Sequence, residues 1–318
     1  MSGAEPLRLL GVDIGGTKIA VAVVDPASGA VIARRAVSTP AQEGPVAVVE
    51  AAADLAARVL VAYPATAAGV GAPGVVDARR GVVATSTGVL PGWEGTAVAA
   101  ELERRLGLPF AADNDVNAAA LGEARYGAGR GLDSFLLVVV GTGLGGAIVQ
   151  GGRVLRGATG TTGEIGHVPV FGVDGVVCSC GSSGHLEAVV AAPAITAAYH
   201  RATGEPGVDI RVIARRATAG EAEAVATLAA VGTVFGRTLG GLVNTLDPEA
   251  VVLGGGVMQA GPPIWEPLEA ALRAEVLPSV SGVPLRPAAL GVDAGVIGAA
   301  ALALELVEAP YAAAGREP

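Results

Sequence analysis

The sequence predicts a mixed α/β protein built from two similar lobes. Three observations predict it. Short apolar runs rich in Val, Leu and Ile alternate with longer stretches whose apolar residues recur at helical spacing. An apolar strand, a glycine turn and a second apolar strand occur twice, as LLGVDIGGTKIAVAVVD around Asp13 and as LLVVVGTGLGGAIVQ around Gly141. A chain of 318 residues, 51% hydrophobic and 16% charged, can also bury more than one core. Aromatic residues make up only 3%, so Ala, Val and Leu must fill those cores.

The elements follow in order. Leu7 to Asp13 reads as a buried strand, followed by a Gly15-Gly16 turn and strands at Ile19 to Asp25 and Ala30 to Val37, with Ser28-Gly29 as a hairpin turn. Pro45 to Leu60 has apolar residues at helical spacing and a proline at its start. Ala68 to Val76 is expected as a strand, Glu94 to Leu106 as a helix, Pro109 to Ala112 as a strand and Val116 to Tyr126 as a helix. The pattern then restarts. Ser134 to Val140 and Ala147 to Gln150 are strands around a Gly141 to Gly146 turn, and Gly151-Gly152 is a hairpin turn. Leu186 to His200, Ala222 to Leu246 and Ile264 to Leu277 read as helices, Gly204 to Asp209 as a loop, and Ala250 to Leu253 as a strand ending in Gly254-Gly255-Gly256. Gly295 to Leu306 is a closing helix expected to pack back on the first lobe, and the last ten residues are expected to fray. The expected lobes are 1–117 with 299–318, and 118–298.

Composition excludes several classes. A net charge of -9 argues against a nucleic-acid partner, which wants a concentrated basic face. No window reaches the roughly 18 to 20 uninterrupted apolar residues of a membrane span, and the N-terminus lacks the basic and apolar blocks of a signal peptide. Cys178 and Cys180 are one residue apart, a poor geometry for a disulfide. The expected setting is the cytoplasm.

Four constellations carry chemistry. In Asp13-Ile14-Gly15-Gly16-Thr17-Lys18, the glycines let backbone N–H groups approach a phosphate, Thr17 adds a hydroxyl, and Lys18, the sole lysine, adds a cation. Asp13 could hold Mg²⁺ through water. The plain alternative is a glycine hairpin. Gly141-Thr142-Gly143-Leu144-Gly145-Gly146 matches the G-x-G-x-x-G dinucleotide pattern by letters, but a strand and not a helix is expected after it. A dinucleotide reading is therefore rejected and a phosphate-cradling turn kept. Gly254-Gly255-Gly256 adds a third glycine turn, at the C-terminal end of a strand, where ligands sit in α/β sheets.

The third constellation is Asp113-Asn114-Asp115-Val116-Asn117, on a strand-to-helix turn. Helix capping explains one or two of its polar groups; a base and a hydroxyl binder would explain the rest. The fourth is Gly163-Glu164-Ile165-Gly166-His167 with Cys178-Ser-Cys180-Gly-Ser-Ser-Gly-His185-Leu-Glu187. His167, Cys178, Cys180 and His185 form a Cys2His2 set suited to a structural Zn²⁺, with no open position. The alternative is a loop with buried thiols and surface histidines. A pinned loop would present Glu164 and Glu187 to sugar hydroxyls.

Taken together, these motifs resemble the ROK family of sugar kinases, the bacterial glucokinase-type branch of the actin-like ATPase (ribonuclease H-like) fold. GVDIGGTK, GAPGVVD at Gly71 to Asp77, LPGW at Leu90 to Trp93, DNDVNAAALGE, GTGLGG, GEIGH, CxCGxxGxxE and NTLDPEAVVLGGGV at Asn244 to Val257 occur in the family's order, over about residues 8 to 305. The resemblance implies two lobes about a cleft and ATP with Mg²⁺ as phosphoryl donor. It implies that Asp13, Gly15, Gly16, Thr17 and Lys18 bind the phosphates with Gly141, Thr142 and Gly143, and that Gly254, Gly255 and Gly256 lie at the adenosine. It implies that Asn114, Asp115, Glu164, His167 and Glu187 bind a hexose, with Asp115 the base and His167 serving both zinc and sugar. It further implies a homo-oligomer, dimer or tetramer. Three positions depart from the family pattern. His185 stands where a third Cys is common, Ala147 where Gly is frequent, and Val89 in a segment that often carries Asn before the Trp. The last departure keeps an N-acetylated hexose beside glucose as the expected substrate. A non-catalytic sugar sensor is the remaining rival, although no DNA-binding segment is expected ahead of the first strand.

Overall fold

The computed structural model describes residues 6–86, 88–173 and 175–308. Three expectations fall partly outside the described residues: the frayed tail at 309–318, the leader reading at residues 1–5, and Thr87 in the segment before Trp93. The chain forms two compact units. The first holds the described residues up to Gly131, Arg153–Thr162 and those from Ala289 onward; the second holds Leu132–Gly152 and Gly163–Ala288. The first unit thus extends beyond the expected boundary at 117.

In chain order, the first unit begins with strands β1 (Leu9–Ile14), β2 (Lys18–Val24) and β3 (Val31–Ser38), then helix α1 (Pro45–Leu60). Strands β4 (Ala67–Ala72), β5 (Val75–Asp77) and β6 (Val82–Thr85) follow, then α2 (Val98–Leu106), β7 (Phe110–Asn114) and α3 (Asp115–Tyr126). The second unit opens with β8 (Phe135–Val140) and β9 (Leu144–Gln150), and the chain returns to the first unit for the short β10 (Arg153–Val154). Back in the second unit come α4 (Glu187–Val190), α5 (Ala192–Thr203), α6 (Ile210–Thr218), α7 (Ala222–Leu246), β11 (Val251–Gly254), α8 (Pro262–Glu275) and β12 (Leu285–Pro287). Helix α9 (Ala294–Glu308) completes the first unit.

The first unit is built on a sheet of order β3-β2-β1-β4-β7. β1, β4 and β7 pair in parallel, and β2, which is antiparallel to both β1 and β3, is the one reversed strand of this sheet. The central strands are buried on both faces, which is why their sequences are continuously apolar and not alternating. One face carries α1 and α2 over Val12, Val21, Val49, Leu55 and Leu102; the other carries α9 over Leu9, Ala22 and Ala67. A Cβ at Gly69 would lie 1.9 Å from the carbonyl oxygen of Ala299, so backbone meets backbone where α9 crosses β4. α9 also seats α3: a Cβ at Gly298 would lie 1.9 Å from Ala118 O. That packing places α3 in this unit.

In the second unit β9-β8-β11-β12 are successive neighbours, with β11 parallel to β8 and β12 and β9 antiparallel to β8. Leu136, Val138, Leu228, Phe235, Leu239, Leu268 and Leu272 share its core. Among the described residues, Ala222–Leu246 is long and apolar enough to cross a membrane by length and composition. Its glycines serve another purpose: a Cβ at Gly236 would lie 2.1 Å from Leu268 O, so α7 and α8 touch along their backbones.

Several expected elements shift. The helix expected over Leu186 to His200 is two helices, broken at extended Ala191. Pro193 causes the break, having no N–H to continue the ladder. α2 starts at Val98 and not Glu94, after Gly95 with φ +82. α8 starts on Pro262-Pro263, since the first helical turn has no use for their missing N–H groups. The long Gly141 to Gly146 turn is shorter than expected, because β9 already begins at Leu144.

Candidate active site

The first glycine turn joins β1 to β2. Asp13 pairs with Ala20 and Ile14 with Ile19 across the two strands, which leaves Gly15, Gly16 and Thr17 as the turn. Gly15 N–H donates to Lys18 O at 2.9 Å. The Thr39 hydroxyl donates to Gly15 O at 2.7 Å, bracing the turn from β3's exit. Thr17 and Lys18 are exposed and Asp13 half-buried. Burial pushes the Asp13 carboxyl up to about 6, against the pull of Lys18 and Arg34. Gly295 makes room for that carboxylate: a Cβ there would lie 2.5 Å from Asp13 Oδ2. Val89 packs on the same turn, with its Cγ1 2.5 Å from where a Cβ on Gly16 would be. Trp93, four residues on, is fully buried and donates its indole N–H to Pro73 O at 3.1 Å.

The Asp113 to Asn117 turn sorts its polar groups into separate tasks. Asn114 caps α3: its Oδ1 accepts from Val116 N at 2.9 Å and Asn117 N at 3.1 Å, and its Nδ2 donates to Gly74 O at 3.0 Å. Asp113 is 1% exposed. Its carboxylate accepts from Asn114 N at 2.8 Å, from Asn117 Nδ2 at 2.9 Å and from Arg156 Nε at 2.7 Å. Asp115 is the first residue of α3, half-buried, with Oδ1 accepting from Val116 N at 2.9 Å. Arg156 is a member of this cluster that the sequence reading missed. It lies far from Asp113 along the chain, and no local pattern marks it.

In the second unit two glycine turns meet at the C-terminal ends of neighbouring strands. Gly141-Thr142-Gly143 joins β8 to β9, closed by Gly141 N–H donating to Gly143 O at 2.9 Å. Gly254 pairs with Val139, so the Gly254 to Gly256 turn lies beside it. Gly255 has φ +90, and a Cβ there would lie 2.1 Å from Val140 O. Only glycine fits on both counts. A cavity of about 600 Å³ opens beside this turn, lined by Gly256, Gln259 and, from α6, Arg211, Ala214 and Arg215. The sequence pattern does not predict α6, so nothing in it marks these arginines as binding groups.

Glu164, His167 and Glu187 come together in this unit. His167 Nε2 is 3.7 Å from Glu164 Oε2, and its Nδ1 is 3.5 Å from Cys178 Sγ. Burial pushes the Glu164 carboxyl up, His167 draws it down, and Glu187 pushes it up again. Glu187 bridges two loops. Its Oε2 accepts from Leu144 N at 2.9 Å, beside Gly143, and its Oε1 accepts from the Ser179 hydroxyl. A Cβ on Gly143 would lie 2.8 Å from Glu187 Oε2. Cys180 Sγ is 3.2 Å from His185 Nδ1. Ligand atoms of His167, Cys178, Cys180 and His185 all lie within 4.8 Å of one another. A tetrahedral zinc spaces its ligands by about 3.3–3.8 Å, so these two thiols and two imidazoles fit such an ion.

The family model described as "ROK family" matches residues 9–306. The chain is 34% identical over 308 residues to a glucokinase from Halalkalibacterium halodurans, covering 91% of this chain and 92% of that protein. It is 36% identical over 302 residues to an N-acetylmannosamine kinase from Shigella boydii, covering 93% and 98%. The structure of a ROK family glucokinase from Streptomyces griseus in complex with glucose and AMPPNP superposes with a TM-score of 0.83 at 32% identity, covering 94% of this chain and 99% of that one. The fold is the actin-like α/β fold of these kinases, and the chain belongs to the ROK family.

Proposed function

We propose that this protein is an ATP-dependent hexose kinase that phosphorylates the sugar's primary hydroxyl, with glucose as the favoured substrate. The observation that carries the reading is the division of labour in the Asp113 to Asn117 turn. Asp113 is consumed by three protein donors and Asn114 by the helix start, while Asp115 stands half-buried on the first turn of α3. That division supports Asp115, of the two carboxylates, as the base.

Asp115 accepts the proton of the sugar hydroxyl as that oxygen forms its bond to the γ-phosphorus and the bond from the γ-phosphorus to the β–γ bridging oxygen breaks. Glu164, His167 and Glu187 hold the sugar by its hydroxyls, together with the remaining N–H of Asn114 Nδ2. Backbone N–H groups of the turns at Gly15-Gly16-Thr17 and Gly141-Thr142-Gly143 receive the phosphates, with Lys18 as a nearby cation. The adenosine occupies the cavity beside Gly254-Gly255-Gly256. Mg²⁺, when bound, offsets phosphate charge, and Asp13 would hold it. Structural Zn²⁺ would be held by His167, Cys178, Cys180 and His185 and would fix the loop that presents Glu187. Exposed Phe171 and Val177 favour assembly into a homo-oligomer, dimer or tetramer. The same reading places the enzyme in the cytoplasm.

A second substrate is favoured by the 36% identity to an N-acetylmannosamine kinase and by Val89, an apolar group in the segment before Trp93. Phosphorylation assays over glucose, mannose, N-acetylglucosamine and N-acetylmannosamine decide between them. Glucose is expected to show the highest kcat/KM. Turnover confined to the N-acetylated sugars would move the assignment to that class, and ATP-dependent turnover of none would leave a sugar sensor.

A further inference from the structure

We infer that Arg156 is a positioning residue for phosphoryl transfer: through the buried carboxylate of Asp113 it fixes the turn that aims Asp115. This rests on the reading of Asp115 as the base.

Burying a carboxylate as deep as Asp113 is costly unless it is paired and hydrogen-bonded. Arg156 Nε is the cationic donor that the structure gives it, at 2.7 Å from Oδ2. The other oxygen, Oδ1, is shared by Asn114 N and Asn117 Nδ2. Those donors flank Asp115 on both sides, one on the cap residue and one on the third residue of α3. Asp113 therefore grips the first helical turn at two points, and Asp115 sits between them. The backbone of Gly71 closes the space behind it, 3.2 Å from Asp115 Cα to where a Cβ on Gly71 would be.

Two further observations separate positioning from mere packing. Asn117 Oδ1 is buried without a partner among the described residues, so the amide leaves an acceptor unmet in order to direct its N–H at Asp113. The Arg156 side chain is about one-third exposed, so it fills little core, and only its Nε is spent on Asp113. Loss of the guanidinium leaves Asp113 buried without a counter-charge. Its grip on the turn then slackens, and Asp115 loses its aim while Glu164, His167 and Glu187, which carry most of the proposed sugar contacts, stay in place.

The test is steady-state kinetics on Arg156→Ala, Arg156→Lys, Asp113→Asn and Asp115→Asn in the full chain. Arg156→Ala is expected to lose about 10- to 100-fold in kcat, the range in which small misplacements act. Its KM values for sugar and ATP should stay within about threefold, because the loss falls on the transition state. Added guanidinium ion at millimolar concentration should restore part of that kcat in Arg156→Ala and none in Asp115→Asn. Wild-type kcat in Arg156→Ala overturns the inference. So does a kcat loss that follows the unfolded fraction and ignores guanidinium. If Arg156→Ala does not fold, Arg156→Lys decides. Reduced kcat at unchanged KM supports the role, and wild-type kcat with a lowered melting point overturns it. Wild-type turnover in Asp115→Asn would instead remove the base itself, whatever Arg156→Ala does.

Discussion

The two strand–glycine–strand turns share a backbone plan and differ in what holds them. The turn at Gly15 to Thr17 is flanked by charge, with Asp13 before it and Lys18 after it, and is braced by the Thr39 hydroxyl and covered by Val89. The turn at Gly141 to Gly143 has no charged residue of its own. Its support arrives from outside: Glu187 accepts from Leu144 N, and Ala192 N donates to Gly141 O at 2.9 Å. A repeat in sequence therefore need not be a repeat in mechanics. One turn carries its electrostatics in its own strands, and the other borrows them from the loop that holds the cysteines.

The largest break in the comparison falls on the first unit, which carries Asp115, the proposed base. Asp115→Asn should lower kcat by about 10² to 10⁴ with sugar binding retained, read by turnover and by calorimetric titration with sugar. Next in size is steric. Gly255→Ala places a methyl 2.1 Å from Val140 O at a φ of +90, and should cost about 2–4 kcal/mol in denaturant unfolding. Gly16→Ala meets only the side chain of Val89 and should cost about 1 kcal/mol, most of it recovered in the double variant with Val89→Ala. A Gly16→Ala loss that Val89→Ala does not relieve would show that the first turn is as rigid as the second.

Chelation sharpens the contrast. Removing the proposed zinc from the Cys178 to His185 loop should release Glu187 and weaken the Leu144 bond. The expected loss is about 1 kcal/mol, or about fivefold, in nucleotide affinity. Faster amide exchange at Leu144 with unchanged exchange at Gly15 is the expected signature. The smallest effect is on pH. Asp13 titrates at about 6 in the folded chain against 3.8 when free. Because burial raises it, the folded state holds that proton more tightly. The associated stability is present below about 4 and is lost as pH rises through about 6. With Asp13 as the proposed Mg²⁺ holder, nucleotide binding runs the other way: it calls for the ionised form and should weaken below about 6. Asp13→Asn should flatten that profile.

Much of this was legible because the motifs are local. The strand–turn–strand repeats and the span of α1 are written in contiguous residues, and the Cys/His cluster lies in the short stretch from His167 to His185. What escaped was non-local or weakly patterned. α6 spans nine residues with three arginines, and its amphipathic face becomes plain only against α7. β12 has three residues, one of them Pro287, and exists because β11 offers it an edge. The bond from Arg156 to Asp113 joins residues with no shared motif. Asn114, expected to bind sugar, also caps α3 with both lone-pair directions of its Oδ1, which leaves an Nδ2 hydrogen as its group for a ligand. A capping residue and a ligand residue look alike in sequence, since both need a short side chain with an exposed oxygen.

One further consequence concerns the order in which the molecule is made. Helix α3 rests on α9 with almost nothing between the two backbones at Ala118 and Gly298. α9 is the last described helix to leave the ribosome. Until it emerges, the segment bearing Asp115 has no floor to settle on. A nascent chain halted before Ala294 could gather its strands and bury Trp93, yet the proposed proton acceptor, Asp115, would hang from an unanchored turn.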